Sequence, residues 1–141
     1  GSVVYRNAAA LHRPAPTKQT GWLAGVRDPE IGKTPALLHR RPAHPWTIAA
    51  LANEVGTSRS VLAERFRRYL SETPIAYLTR WRLQLGAQQL TSTSHSVVEI
   101  AAEVGYESEP AFNRAFKREF GLPPARFRSQ SKERKSDRLI F

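Results

Sequence analysis

Asn113, Arg114, Lys117 and Arg118 are spaced so that a helix of 3.6 residues per turn would carry all four on one side. Those side chains match the edges and backbone of duplex DNA. An Asn amide can pair bidentately with adenine and an Arg guanidinium with guanine, while Lys117 and Arg118 suit phosphate oxygens. Glu109 shares the face as a further candidate for a base edge, and Pro110 shares it without a polar head to offer. Ser108, just ahead, could donate to a phosphate where the free amides of a helix start gather. About fifty residues upstream, Ser58, Arg59, Ser60, Ala63, Glu64, Arg67 and Arg68 form a second face of the same kind. There Glu64 can accept from a cytosine amino group and Ala63 can meet a thymine methyl. Ser60 is short and demands close approach, whereas Arg59, Arg67 and Arg68, with Ser58, suit the phosphates. Two alternatives stay open: Glu64 has an intrahelical partner in Arg68 at i+4, and Arg114 could pair with a nearby Glu.

The charge supports a polyanionic partner. Lys plus Arg number 22 against 12 Asp plus Glu, for a net charge of +10 on 141 residues. A compact chain of that charge repels itself unless a polyanion is its usual neighbour, with nucleic acid ahead of a membrane surface or an acidic protein. Cysteine is absent, which excludes disulfides and thiolate metal sites. His12, His39, His44 and His95 lack metal-ligand spacing and read as surface residues, so no metal and no cofactor is expected. No nucleophile, base and orienter fall together and no glycine loop is set to cradle phosphate, so the chain reads as no enzyme. No apolar run approaches the length of a membrane span, and no apolar leader is visible.

The elements that must carry these faces are helices, six or seven of them, with no strand alternation. Asp28-Pro29 has the cap-plus-proline form of a helix start, and Arg41-Pro42 stops that first helix. Ile48, Leu51, Ala52 and Val55 make one apolar face, ended at Gly56. Ser58 caps the next helix, in which Val61, Leu62, Phe66 and Leu70 point inward. Thr73-Pro74 opens a longer helix through about residue 91. Ser96 to Glu99 is a capping box, Val97, Ile100, Ala101 and Val104 repeat the earlier apolar face, and Gly105 stops it. Ser108 caps a helix with Phe112, Phe116 and Phe120 inward, and Pro123-Pro124 starts a short last helix through Phe127. Trp22, Trp46 and Trp81 read as packing residues. The chain therefore states a helix, glycine turn and helix twice, over about 47–70 and 96–120, joined by a helix over about 74–91. Small Ala52 and Ala101 let each pair of helices cross closely, and one extra residue sits in the second turn.

The segment IAAEVGYESEPAFNRAFKREFGLPPARFR resembles the signature of the AraC/XylS family of bacterial transcription regulators. The upstream unit, YLTRWRL and the final PPARFR follow in that family's order. The resemblance spans about residues 28–128. It implies an all-α domain over 26–130, with seven helices and two homeodomain-like helix-turn-helix units. Its two recognition helices, over 58–70 and 108–120, would enter successive major grooves of double-stranded DNA. It also implies base contacts at Ser60, Ala63 and Glu64. GWLAG and RDPEIG further resemble members that carry a cupin-like N-terminal sensor. On that reading Gly1-Ser2 is a protease-cleavage remnant and 1–25 a linker or the tail of a sensor domain missing here; 131–141 is a frayed basic tail. A cytoplasmic, nucleoid-associated protein binding an asymmetric site as a monomer follows, with RNA polymerase a further partner. The rival is a cationic module that docks on RNA polymerase or another acidic protein and has only non-specific DNA affinity. Gly86 stands where that family usually has Ala, a cost of about 1 kcal/mol in a helix.

Overall fold

The computed structural model describes residues 28–140, with side chains described through Lys135. The expected linker over 1–25, Trp22 and His12 lie outside the described residues. Seven helices occupy the described chain and no strand is present in it. They are α1 Pro29–Arg40, α2 Ile48–Val55, α3 Arg59–Leu70, α4 Pro74–Ser92, α5 Val97–Glu103, α6 Glu109–Phe120 and α7 Pro124–Ile140.

Local chemistry sets the helix starts. Asp28, Thr47, Ser58, Thr73, Ser96 and Ser108 each turn a side-chain oxygen onto an amide of the first turn, satisfying a donor the helix cannot. Ser96 and Glu99 close a full capping box, with the Glu99 carboxylate accepting from the Ser96 amide at 2.8 Å. These hydrogen bonds hold the Glu99 carboxyl below its ordinary value. Gly56 ends α2 at φ 81°, with its amide returning to the Ala52 and Asn53 carbonyls. That left-handed conformation is one glycine adopts without steric cost.

The internal repeat runs further than two helices. After α3 the chain passes through Ser71 at φ 64° and enters α4 at Pro74; after α6 it passes through Gly121 at φ 87° and enters α7 at Pro124. Each unit is thus three helices, and α7 is the counterpart of α4. This corrects the expected end of the last helix at Phe127, which the structure places at Ile140. α7 runs to Ile140, and as far as Lys135 its side chains tie it to α4 and the loop after it. Arg128 donates to the carbonyls of Leu90 at 2.9 Å and Thr93 at 3.2 Å, and Lys135 donates to that of Thr91 at 3.1 Å. Those carbonyls lie at the C-terminal end of α4, where helix acceptors lack intrahelical partners.

Two hydrophobic cores result, with no residue in common. Ile31, Leu37, Leu38, Trp46, Leu51, Ala52, Val55, Leu62, Phe66 and Leu78 form the first. Leu83, Ala87, Leu90, Ile100, Ala101, Val104, Phe112, Ala115 and Phe116 form the second. α4 feeds both, its first half the former and its second half the latter. Trp46 packs as expected and donates its indole N–H to the Arg41 carbonyl at 2.9 Å, whereas Trp81 is only half-buried on α4.

Candidate nucleic-acid interface

α3 and α6 occupy equivalent places in the two units, and each buries one side on its own core. Leu62 and Phe66 are the buried anchors of α3; Phe112, Ala115 and Phe116 are those of α6. Pinning these residues leaves the opposite faces to solvent. On α3, Arg59, Ser60, Glu64, Arg67 and Arg68 are exposed, and Ala63 lies half-buried at the base of the face. On α6, Pro110, Arg114, Lys117 and Arg118 are exposed, and Glu109 and Asn113 are half-buried. Ala63 and Asn113 hold the same place in the repeat, as do Glu64 and Arg114.

The caps sit at the mouths of these faces. Ser58 Oγ accepts from the Val61 amide and Ser108 Oγ from the Ala111 amide, both at 3.2 Å. Each hydroxyl keeps its hydrogen for another acceptor, beside amides that carry the positive end of the helix dipole. Both serines are exposed.

The two faces differ in electrostatics. On α3, Arg68 donates to Glu64, which raises the Arg68 pKa through that hydrogen bond and the carboxylate charge. The i+4 pairing is therefore formed in the free protein. Arg65, a residue the face-by-face sequence reading passes over, turns the other way. It meets Asp28 at 3.2 Å and Glu30 at 3.7 Å, tying α3 to the start of α1. On α6, among the described residues, Arg114, Lys117 and Arg118 have no carboxylate within ion-pair distance. Arg114 thus lacks the glutamate partner that was its alternative role.

Arg82, which the sequence places on α4 without a role, interrupts the apolar stripe between Leu78 and Leu83. Its Nε donates to the Pro42 carbonyl at 2.7 Å and its Nη2 to that of His44 at 2.9 Å. Burial lowers its pKa, with the charge retained on two carbonyl acceptors. A charged residue inside an apolar stripe was the available signal. Of the histidines, His44 packs tilted against Trp46, with ring centroids 4.3 Å apart, and His95 lies beside Glu103. His39 keeps an exposed edge, yet its ring lies 4.3 Å from the Trp81 ring centroid and its Nε2 lies 2.8 Å from the Tyr77 hydroxyl. Burial of the ring holds its pKa below the ordinary 6.5. No described helix is long and apolar enough to cross a membrane.

Known proteins share this arrangement. A family model described as a helix-turn-helix domain matches residues 51–130. An AraC-like transcription regulator of Streptomyces antibioticus is 47% identical over 114 residues, covering 81% of this chain and 38% of that protein. The transcriptional regulator AlkR of Acinetobacter baylyi is 42% identical over 110 residues, covering 78% of this chain and 36% of its own length. The chain therefore spans less than two fifths of the curated relatives it matches. Among solved structures, an AraC-type regulator of Chromobacterium violaceum is 30% identical with a TM-score of 0.68, covering 74% of this chain and 94% of that one. The DNA-binding domain of AdpA, solved with a target DNA, is 25% identical with a TM-score of 0.73, covering 77% of this chain and 96% of that one. With a family match over more than half its length and the two-unit frame described above, this chain belongs to the AraC-type helix-turn-helix family of DNA-binding transcription regulators.

Proposed function

We propose that the chain reads a specific, asymmetric duplex site as a monomer, with α3 and α6 in successive major grooves on one side of the DNA. The observation that carries this reading is the repeat itself. Two units share their caps, turns and buried anchors, while their exposed faces carry different side chains. A frame repeated around two unlike faces suits two unlike half-elements about one helical turn apart. Single-unit repressors gain such a span by dimerising; two units in one chain supply it without a partner.

In this reading Asn113 and Arg114 read bases on the α6 side, with Glu109 at the edge of the same face. On the α3 side Ser60, Ala63 and Glu64 lie against the bases. Arg59, Arg67, Arg68, Lys117 and Arg118, with the cap hydroxyls of Ser58 and Ser108, hold the phosphates and set the register. The unpaired guanidinium of Arg114 supports its role, because a base contact there breaks no existing ion pair. An upstream sensor in a longer parent chain would supply the switch, and the bacterial cytoplasm the setting.

Selection of bound duplexes from a random pool, followed by footprinting, tests the proposal. The expected product is a site with two half-elements and protection spanning about two major grooves. A footprint confined to half a turn would refute two-groove reading. Random duplex bound as tightly as any selected site at moderate salt would instead favour a cationic module that docks on RNA polymerase or another acidic protein.

A further inference from the structure

The relative orientation of the two units has no hydrophobic core to fix it. The cores share no residue, and α4 passes from one to the other between Leu78 and Leu83. Arg82 lies at that crossing. Its guanidinium is held by the Pro42 and His44 carbonyls, which belong to the loop leading into α2 of the first unit. From the other side comes Gly105, in the turn of the second unit at φ 104°. A Cβ at Gly105 would fall 2.7 Å from Arg82 Nε, 2.9 Å from the Pro42 carbonyl oxygen and 3.0 Å from Ala43 Cα. The turn of one unit therefore rests directly on the arginine and on the loop of the other. Gly56, the counterpart turn, has nothing within 4 Å of the same position. The loop is itself braced, since Trp46 is buried and bonded to the Arg41 carbonyl.

We infer that Arg82 is a positioning residue for DNA recognition: with Gly105 and the 42–44 loop it locks the two units at one angle and so sets the half-element spacing the protein accepts. The inference rests on the two-groove reading above. Geometry gives its leverage. α4 has 19 residues, about 28 Å at 1.5 Å per residue, so a bend of about 10° at its middle moves one end by a few ångströms. That is on the order of one base-pair step, about 3.4 Å. A helix crossing between two separate cores would tolerate such a bend if the seam were open, because little buried surface opposes it.

The test takes the 141-residue chain, the site selected from the random pool, and versions of that site with one base pair inserted or deleted between the half-elements. The parent protein should lose about tenfold or more in affinity at either altered spacing. Arg82→Ala should cut that loss to about threefold or less, and should bind a duplex with one half-element scrambled as the parent does. Arg82→Lys, which keeps a donor within reach of the carbonyls, should restore part of the spacing penalty. The salt dependence of binding should be the same for all three proteins, since Arg82 is given no phosphate. Circular dichroism and thermal melting establish that each variant is folded; an unfolded Arg82→Ala would make Arg82→Lys and Arg82→Gln the deciding pair. An unchanged spacing penalty in the folded variants, or an equal loss at every spacing, overturns the inference. Failure of the pool to yield any two-part site would instead overturn the two-groove reading.

Discussion

Gly86 offers a sharp test of which force governs the middle of α4. In an exposed helix, Gly→Ala gains up to about 1 kcal/mol of helix propensity, and by that rule alone Gly86→Ala should stabilise the protein. The structure reverses the expectation. A Cβ on Gly86 would lie 2.8 Å from Phe112 Cζ and 2.9 Å from Phe112 Cε1, well inside the roughly 3.5 Å at which carbons begin to attract. The Phe112 ring cannot swing aside freely. It is fully buried, with the Tyr106 ring centroid at 5.4 Å and that of Phe116 at 5.6 Å. Overpacking of this kind costs about 1–3 kcal/mol, so the net effect of Gly86→Ala should be a loss of up to about 2 kcal/mol. For a chain of this length, each 1 kcal/mol moves the melting midpoint by about 4 °C. The clash has one identifiable source, so it should vanish when the ring does. In a Phe112→Leu background, Gly86→Ala should be neutral or stabilising, a coupling of about 1–3 kcal/mol between the two positions. Calorimetry on the four proteins of the cycle measures it. A higher melting midpoint for Gly86→Ala alone, or the same shift in both backgrounds, would refute the packing argument.

Three further outcomes are expected. Arg114→Ala should reduce discrimination at one base pair by about 1–3 kcal/mol, while Arg67→Ala should weaken all duplexes alike and flatten the salt dependence; binding to single-substitution site libraries at several salt concentrations separates the two. Glu99 has a depressed folded pKa, so its stabilisation is present above the ordinary 4.5 and lost as pH falls through the lower folded value. Melting curves of Glu99→Gln should accordingly lose less than the parent on acidification through that window. His39 is also depressed, so the folded state binds fewer protons than the unfolded one, and its contribution is complete above 6.5 and declines as pH falls below it. His39→Gln should show a shallower fall in melting midpoint on that side of 6.5, and an equal fall in both proteins would contradict the assignment.

Much of the frame was legible because its signals are local. Asp28-Pro29, Thr73-Pro74 and the box from Ser96 to Glu99 act over three or four residues, and each starts a helix where the sequence says it should. Gly56 and the extra residue before Ser108 likewise marked the turns. The extension of α7 was not legible. SQSKERKSDR carries no apolar face, so a reading based on burial finds nothing to hold a helix there. What ties it down is Arg128 and Lys135 donating to carbonyls 35 to 44 residues away, which no local pattern encodes. Arg65 was hidden for the same reason, whereas Arg82 stood out as a charge in an apolar stripe but its carbonyl partners, 38 and 40 residues away, did not. At the candidate interface, sequence periodicity picked out the exposed faces but could not choose between the two fates of Glu64 or of Arg114, which depend on which partner lies nearer.

That difference makes the two faces unequal. A base contact from Glu64 has to share its carboxylate with Arg68, which takes Oε2 and leaves Oε1 to accept from a base. Both side chains are more than half exposed, so water and salt screen the pair and it opens readily. Arg114, at the equivalent place on α6, has no ion pair among the described residues, so in the proposed reading it would meet a base with its guanidinium free. Opening the α3 pair would also free Arg68 for a phosphate, which in the proposed reading adds sequence-independent attraction on that side. On the proposed reading, two copies of one frame would thus divide the work: α6 would choose the sequence, and α3 would hold the duplex while it is chosen.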